Sequence, residues 1–200
     1  MKNIVIIGPP RSGKTTLAKM IVKRINGYSL ISSDNLRTSF VSATEKSEMK
    51  RNNSNIQIYL DIPRDQCYEY LRQSTYYESD LGYVVDFSCY DEELFKKFSE
   101  EAIVIFLGYS SLTKEQLFKS IRENDTENEW TYIESNYWLN ELCKNFIEQS
   151  KKFEEYAKKN NCWYVDTSKD RKKTLEKTFE TIKKLLDASM KNLIIREKER

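Results

Sequence analysis

Glycine, lysine and hydroxyl side chains recur between Gly8 and Thr15 at the spacing G-x-x-x-x-G-K followed by threonine. Gly8 and Gly13 let the backbone curl around a phosphate, because a Cβ atom there would clash or forbid the required dihedral angles. The N–H groups of such a loop, and of the helix that it opens, present partial positive charge to an anion. We expect Lys14 to reach the β- and γ-phosphates of a nucleotide and the Thr15 hydroxyl to ligate Mg²⁺. The spacing therefore predicts a nucleotide-binding phosphate loop.

The residues on either side of this loop are those that such a loop requires. A short β-branched run at residues 4–7 precedes it and is typical of a buried parallel strand. Leu17, Met20, Ile21 and Ile25 follow it at helical spacing. The alternative, a glycine turn with a surface lysine, is disfavoured by this strand–loop–helix context. We expect ATP to be contacted by the loop and the residue after it: Gly8, Pro9, Pro10, Arg11, Ser12, Gly13, Lys14, Thr15 and Thr16.

Length and composition agree with a compact enzyme. Two hundred residues suggest one domain, or one domain with an inserted subdomain. No apolar run reaches the length of a membrane span, so we expect no membrane association. The four cysteines are scattered without a CxxC pair, which favours idle thiols in a reducing cytoplasm over a disulfide or metal framework. The absence of histidine excludes imidazole catalysis and zinc sites that contain histidine.

The net charge of +2 conceals an uneven distribution along the chain. Residues 1–60 carry a balance of +7, residues 61–168 a balance of −10, and residues 169–200 a balance of +5. A positive field around the phosphate loop would favour an anionic ligand, whereas the acidic middle disfavours a continuous track for nucleic acid. Solvated charged faces without a binding role are an equally good explanation.

Apolar runs alternate with helical patterns along the rest of the chain. Further strands are predicted at residues 28–31, 83–87, 102–108 and 162–167. Helices are predicted from residue 33 to about residue 40, over 56–77, over 92–99, from Thr113 and over 132–160. Because of Pro63, residues 56–62 could instead be extended. A last helix is predicted after a cap at Ser168 or Asp170. We interpret the polar residues 41–55 as a mobile loop or a frayed helix. This alternation predicts an α/β fold with a parallel sheet covered on both faces.

The residues after the second predicted strand carry a more specific resemblance. Ser32-Ser33-Asp34-Asn35-Leu36-Arg37, together with the phosphate loop, resembles the P-loop nucleoside and nucleotide kinases, of which adenylate kinase is the familiar member. The resemblance implies a three-layer P-loop fold with a five-stranded parallel sheet in the order 2-3-1-4-5. It also implies that Asp34 binds or deprotonates the acceptor and that Arg37 holds an acceptor anion. The alternative for Asp34 is a helix N-cap without a catalytic role.

The same resemblance assigns roles to residues further along the chain. Asp86, at the end of an apolar strand, would hold Mg²⁺ together with Thr15 and would border the acceptor; a capping role is its alternative. Arg122 would bring positive charge to the transferring phosphate from a lid. The loop after the fifth strand, ending at Arg171, would line the adenine, with a plain surface loop as its alternative.

The resemblance divides a single domain of residues 1–200 into functional segments. Residues 32–80 would form an acceptor-binding insertion, and residues 110–137 a lid-like segment. We found no internal repeat and no linker in the sequence that would separate two domains.

These features together predict an ATP- and Mg²⁺-dependent kinase that phosphorylates a small molecule, with catalytic roles for Lys14, Asp34 and Arg122. The small-molecule acceptor is its expected partner, and we expect a cytoplasmic monomer or homodimer. Two alternatives stay open: a regulatory ATPase or nucleotide-binding module, and a kinase acting on a nucleic-acid end or another macromolecule. A GTPase is disfavoured because the sequence lacks the guanine motif Asn-Lys-x-Asp.

Overall fold

The structure, a computed structural model, describes residues 1–45, 56–78, 80–127 and 129–198. Its strands are β1 (Asn3–Ile7), β2 (Tyr28–Ser32), β3 (Gly82–Phe87), β4 (Ala102–Gly108) and β5 (Trp163–Asp166). Its helices in the described ranges are α1 (Lys14–Arg24), α2 (Ser33–Glu45), α3 (Ile56–Tyr77), α4 (Glu92–Glu101), α5 (Lys114–Asn124), α6 (Asn136–Lys159) and α7 (Arg171–Lys198).

The five strands form one parallel sheet in the order β2-β3-β1-β4-β5. The predicted fold class and strand order are therefore confirmed. Because all strands run the same way, their last residues lie along one side, which we call the carboxyl edge: Ser32, Phe87, Ile7, Gly108 and Asp166. The segments that follow these residues meet at this edge, where ligands bind in open α/β sheets.

Both faces of the sheet are covered, which explains why β1 is apolar without alternation. Val5 and Ile7 pack with the aromatic residues of α4 and α6 on one face, among them Phe95 and Phe153. Ile4 and Ile6 pack on the other face against α1 and α7. All four residues of this run are fully buried, so a parallel strand between two helical layers requires the continuous apolar sequence that is observed.

The limits of several helices differ from the predicted ones. Helix α2 continues to Glu45, five residues past the predicted end, and residues 46–55 of the predicted loop lie outside the described residues. Helix α3 spans Pro63 without a break, so the extended alternative for residues 56–62 is wrong. Asp170 rather than Ser168 caps α7, since its carboxylate accepts a hydrogen bond from the Lys173 N–H group.

Helix α6 begins at Asn136 and not at residue 132. The Ser135 hydroxyl caps it by accepting a hydrogen bond from the Trp138 N–H group at 3.2 Å. The described residues between α5 and this cap, 125–127 and 129–134, form turns and bends, and we call residues 125–127 and 129–135 the α5–α6 loop. None of the helices in the described ranges combines the length and the apolar character needed to cross a bilayer.

Candidate active site

The phosphate loop lies between β1 and α1 at the carboxyl edge. Gly8 follows β1 so closely beside β4 that a Cβ atom there would overlap the Leu107 carbonyl oxygen and lie 2.9 Å from Ser12 Oγ. Gly13 is the N-cap of α1 and has a φ of 97°, in the left-handed region that favours glycine. Each glycine of the motif therefore has a separate reason to be glycine: close backbone approach at Gly8 and backbone conformation at Gly13.

The outer side of this loop is held by donors from three other parts of the chain. The Tyr109 hydroxyl, after β4, donates to the Pro10 carbonyl oxygen at 2.5 Å. The Thr167 hydroxyl, after β5, shares its proton between the Ser12 carbonyl oxygen at 3.2 Å and the Gly108 carbonyl oxygen at 2.9 Å. The Arg171 guanidinium, from α7, donates to the carbonyl oxygen of Arg11 at 3.1 Å. With these carbonyl groups turned outward, the loop is arranged to present its N–H groups on the inner side, as an anion requires.

Lys14 is buried at the start of α1, with only 6 % of its surface exposed. Its ammonium group donates to the Pro9 carbonyl oxygen across the loop at 3.0 Å. Burial lowers the pKa of Lys14, and the nearby carboxylates of Asp86 and Asp34 oppose that shift. The structure thus brings together three residues that were predicted as site residues from separate parts of the sequence.

Asp86 lies at the end of β3 beside the start of α1. Its Oδ2 atom accepts a hydrogen bond from the Thr15 hydroxyl at 2.5 Å. Burial raises the pKa of Asp86, while the Lys14 charge and the Thr15 hydroxyl act in the opposite direction. Its Oδ1 atom is buried and receives no hydrogen bond from the described residues.

This pair of oxygens fits the requirements of a magnesium ion. Mg²⁺ prefers oxygen ligands and is commonly bound by one or two protein groups together with water and substrate phosphates. A hydroxyl beside a carboxylate that has an unused buried oxygen supplies such groups next to the phosphate loop. Within the described ranges, no cluster of three or more Cys, Asp or Glu side chains provides a site made of protein ligands alone.

Asp34 lies in the first turn of α2, after the end of β2. The N-cap of α2 is Ser32, whose hydroxyl accepts a hydrogen bond from the Asn35 N–H group at 3.3 Å, so the cap does not depend on Asp34. The Ser88 hydroxyl lies 3.4 Å from each Asp34 oxygen, and the Arg37 guanidinium lies 3.6 Å from one of them. Ser88 was missed in the sequence because a single serine after a strand carries no pattern.

Arg122, predicted to face the transferring phosphate, makes its hydrogen bonds with the α5–α6 loop. Its guanidinium donates to the carbonyl oxygens of Thr131, Tyr132 and Glu134 and to the Asn136 side chain, over 2.5–3.3 Å. These acceptors give Arg122 a role in shaping this loop. A role at the phosphate would require the guanidinium to leave them.

Arg11 occupies the middle of the phosphate loop in a left-handed conformation, with a φ of 66°. Its guanidinium forms ion pairs with Asp125 and, at 2.6 Å, with Glu129. Arg11 also borders a pocket of about 280 Å³ between α5 and the loop after β5. Other residues that line this pocket are Tyr109, Leu117, Asn124, Thr167 and Arg171.

Comparisons with solved structures place this fold among known ones. The chain is similar to shikimate kinase from Bacteroides thetaiotaomicron (17 % identity, TM-score 0.57), with 93 % of this chain and 98 % of the other covered. A gluconokinase from Sinorhizobium meliloti 1021 is similar at 15 % identity and a TM-score of 0.54, with 96 % of this chain and 97 % of the other covered. Shikimate kinase from Acinetobacter baumannii in complex with shikimate is similar at 14 % identity and a TM-score of 0.59, with 94 % of each chain covered. No protein-family model and no curated protein sequence matches the chain. The structural neighbours are P-loop small-molecule kinases, and the predicted P-loop fold is thereby confirmed.

Proposed function

We propose that this protein transfers the γ-phosphoryl group of ATP to a hydroxyl group of a small molecule. The observation that carries this proposal is the cluster of Lys14, Thr15 and Asp86 beside the phosphate loop, with Asp34 two residues after Ser32, which pairs with Asp86 in the sheet. This cluster has a cation for the phosphates, two oxygens for Mg²⁺ and a carboxylate on the acceptor side. The fold shared with small-molecule kinases supports the same conclusion.

The chain's own residues have distinct tasks in this reaction. The loop N–H groups and Lys14 hold the β- and γ-phosphates and neutralise the charge that develops during transfer. Thr15 and Asp86 would hold Mg²⁺, which further neutralises the phosphate oxygens. The pocket of about 280 Å³ that borders Arg11 lies where it could take the nucleoside of ATP.

Asp34 orients the acceptor hydroxyl in this proposal. The hydroxyl oxygen forms a bond to the γ-phosphorus while the bond to the β,γ-bridging oxygen breaks, so that ADP leaves. The proton of the hydroxyl passes to the Asp34 carboxylate, whose side chain is 59 % exposed and thus accessible. Ser88 and Arg37, on either side of Asp34, supply a hydrogen bond donor and a positive charge for the rest of the acceptor.

Hydroxy acids are the first acceptors to test. The three structural neighbours compared above are two shikimate kinases and a gluconokinase, which are named for acceptors that carry both hydroxyl and carboxylate groups. Arg37 is suited to an acceptor of this kind because a guanidinium binds a carboxylate through two parallel hydrogen bonds. Nucleosides and nucleoside monophosphates form the comparison pools.

The deciding experiment measures ADP release from Mg-ATP with and without each acceptor pool. We expect release to increase with the hydroxy-acid pool, and to fall by about 10²–10³-fold in Lys14→Ala, because the ammonium group that neutralises the transferring phosphate oxygens is lost. Asp34→Asn should retain ATP binding but slow transfer by about 10²–10⁴-fold. Release that no pool increases would favour an ATPase, and full activity of Lys14→Ala would refute the site assignment.

A further inference from the structure

The guanidinium of Arg11 is shared by two carboxylates of the α5–α6 loop. Asp125 is the C-cap residue of α5, and its side chain is only 1 % exposed. Glu129 follows in the loop, and its side chain is 46 % exposed. The Arg11 side chain itself is 14 % exposed. Apart from this guanidinium, no donor among the described residues reaches either oxygen of Asp125. The pair with Asp125 is therefore a buried ion pair that solvent screens poorly.

The backbone of Arg11 is fixed while its side chain has a choice of partners. The left-handed conformation and the hydrogen bond from Arg171 to its carbonyl oxygen hold the main chain in the phosphate loop. From this position the guanidinium borders the pocket between α5 and the loop after β5. A guanidinium binds carboxylate and phosphate through the same pair of parallel hydrogen bonds. The two kinds of anion therefore compete for the same donors.

The charges around Arg11 do not balance. One positive guanidinium faces two negative carboxylates, so these three side chains together carry a net negative charge, whereas Lys169, Arg171 and Lys172 supply positive charge on the other side of the adjoining pocket. Bringing a nucleotide's phosphates to this cluster costs electrostatic free energy as long as both carboxylates stay in place. Moving Arg11 from the carboxylates to phosphate reduces that repulsion.

We propose that Asp125 and Glu129 compete with the nucleotide's phosphates for the Arg11 guanidinium, and that this competition sets the affinity for nucleotide. Nucleotide binding exchanges carboxylate for phosphate at Arg11 and thereby releases the α5–α6 loop from the phosphate loop. The inference rests on the proposed function to the extent that the phosphate loop binds a nucleotide.

The test is the dissociation constant of Mg-ATP, measured by titration calorimetry at one fixed ionic strength. Glu129→Gln removes the more exposed competitor and should bind Mg-ATP about two- to fivefold more tightly. Glu127→Gln is the matched control because it removes the same charge from an exposed residue of the same turn. Asp125→Asn should act in the same direction wherever circular dichroism shows it to be folded.

A second pair of variants separates competition from a general effect of charge. In an Arg11→Met background the guanidinium is absent, so Glu129→Gln should increase the affinity no more than Glu127→Gln does in the same background. Affinity that is unchanged or weaker in Glu129→Gln, or equally increased in Glu127→Gln, would overturn the inference. If wild-type protein binds no Mg-ATP, the proposed function fails as well. If wild-type protein binds Mg-ATP and shows acceptor-dependent ADP release while Glu129→Gln equals its control, only this inference fails.

Discussion

Replacing Tyr109 with phenylalanine tests whether the phosphate loop is held from outside. The Tyr109 side chain is 2 % exposed, and its hydroxyl donates to the Pro10 carbonyl oxygen at 2.5 Å. Phenylalanine keeps the ring and removes only this donor. The Tyr109 ring is buried but Pro10 is half-exposed, so water can replace part of what the Pro10 carbonyl group loses.

The expected cost follows from that partial burial. Losing a partly buried hydrogen bond costs about 0.5–1.5 kcal/mol of unfolding free energy. For a chain of this size this corresponds to a melting temperature lower by about 1–6 °C. Burial raises the pKa of Tyr109 well above its usual value, so the hydroxyl remains a donor below about pH 10. The difference from wild type should therefore be constant between about pH 6 and pH 9.

Mg-ATP affinity distinguishes a local effect from a global one. If Tyr109 arranges the loop N–H groups, Tyr109→Phe should weaken Mg-ATP binding by up to about tenfold, equivalent to about 1.4 kcal/mol. Tyr90→Phe is the matched control, since the Tyr90 hydroxyl donates to the exposed Glu92 side chain at 2.9 Å and not to the phosphate loop. Urea denaturation and calorimetry measure the two quantities. A Tyr109→Phe variant with the stability and affinity of wild type would refute the reasoning.

The remaining expectations concern a glycine, an arginine and a carboxylate of the site. Gly8→Ala should lower the unfolding free energy by about 1–3 kcal/mol, because the new Cβ meets the rigid Leu107 carbonyl group; thermal denaturation measures this, and an unchanged midpoint would contradict it. Arg122→Leu should speed limited proteolysis of the α5–α6 loop through the loss of its carbonyl contacts, whereas a slower transfer step with unchanged proteolysis would favour the predicted role at the phosphate. Asp86→Asn should raise the Mg²⁺ concentration needed for half-maximal transfer at least tenfold, equivalent to about 1.4 kcal/mol of binding free energy. A Mg²⁺ titration identical to that of wild type would argue against Asp86 as a ligand.

Short-range patterns were sufficient for much of the fold, and they singled out the residues at the centre of the candidate site. The central strands β1, β3 and β4 carry apolar runs because both of their faces are covered, and such runs are visible in any sequence. The phosphate loop was predictable because its glycine and lysine requirements are local. Lys14 and Asp86 were each identified from their own neighbours, and the parallel sheet brings the ends of β1 and β3 together.

Contacts between distant segments account for what the sequence did not reveal. Tyr109 and Pro10 are 99 residues apart, and neither lies in a pattern that points to the other. The ion pairs of Arg11 likewise join the phosphate loop to the α5–α6 loop. For Arg122, the sequence could indicate a cation near a lid, but the direction of the carbonyl groups around it depends on the path of the loop. Side-chain partners of this kind follow from the tertiary fold and not from spacing.

The outward-facing carbonyl groups of the phosphate loop also limit how far this motif can be treated as a portable module. Its conformation depends on a tyrosine after β4, a threonine after β5 and an arginine at the start of α7. Grafting the eight motif residues onto another strand–helix junction would transfer the glycines and the lysine but leave those carbonyl groups to find new donors. A functional transplant would have to include Tyr109, Thr167 and Arg171, which makes the ends of β4 and β5 part of the smallest unit that can be moved.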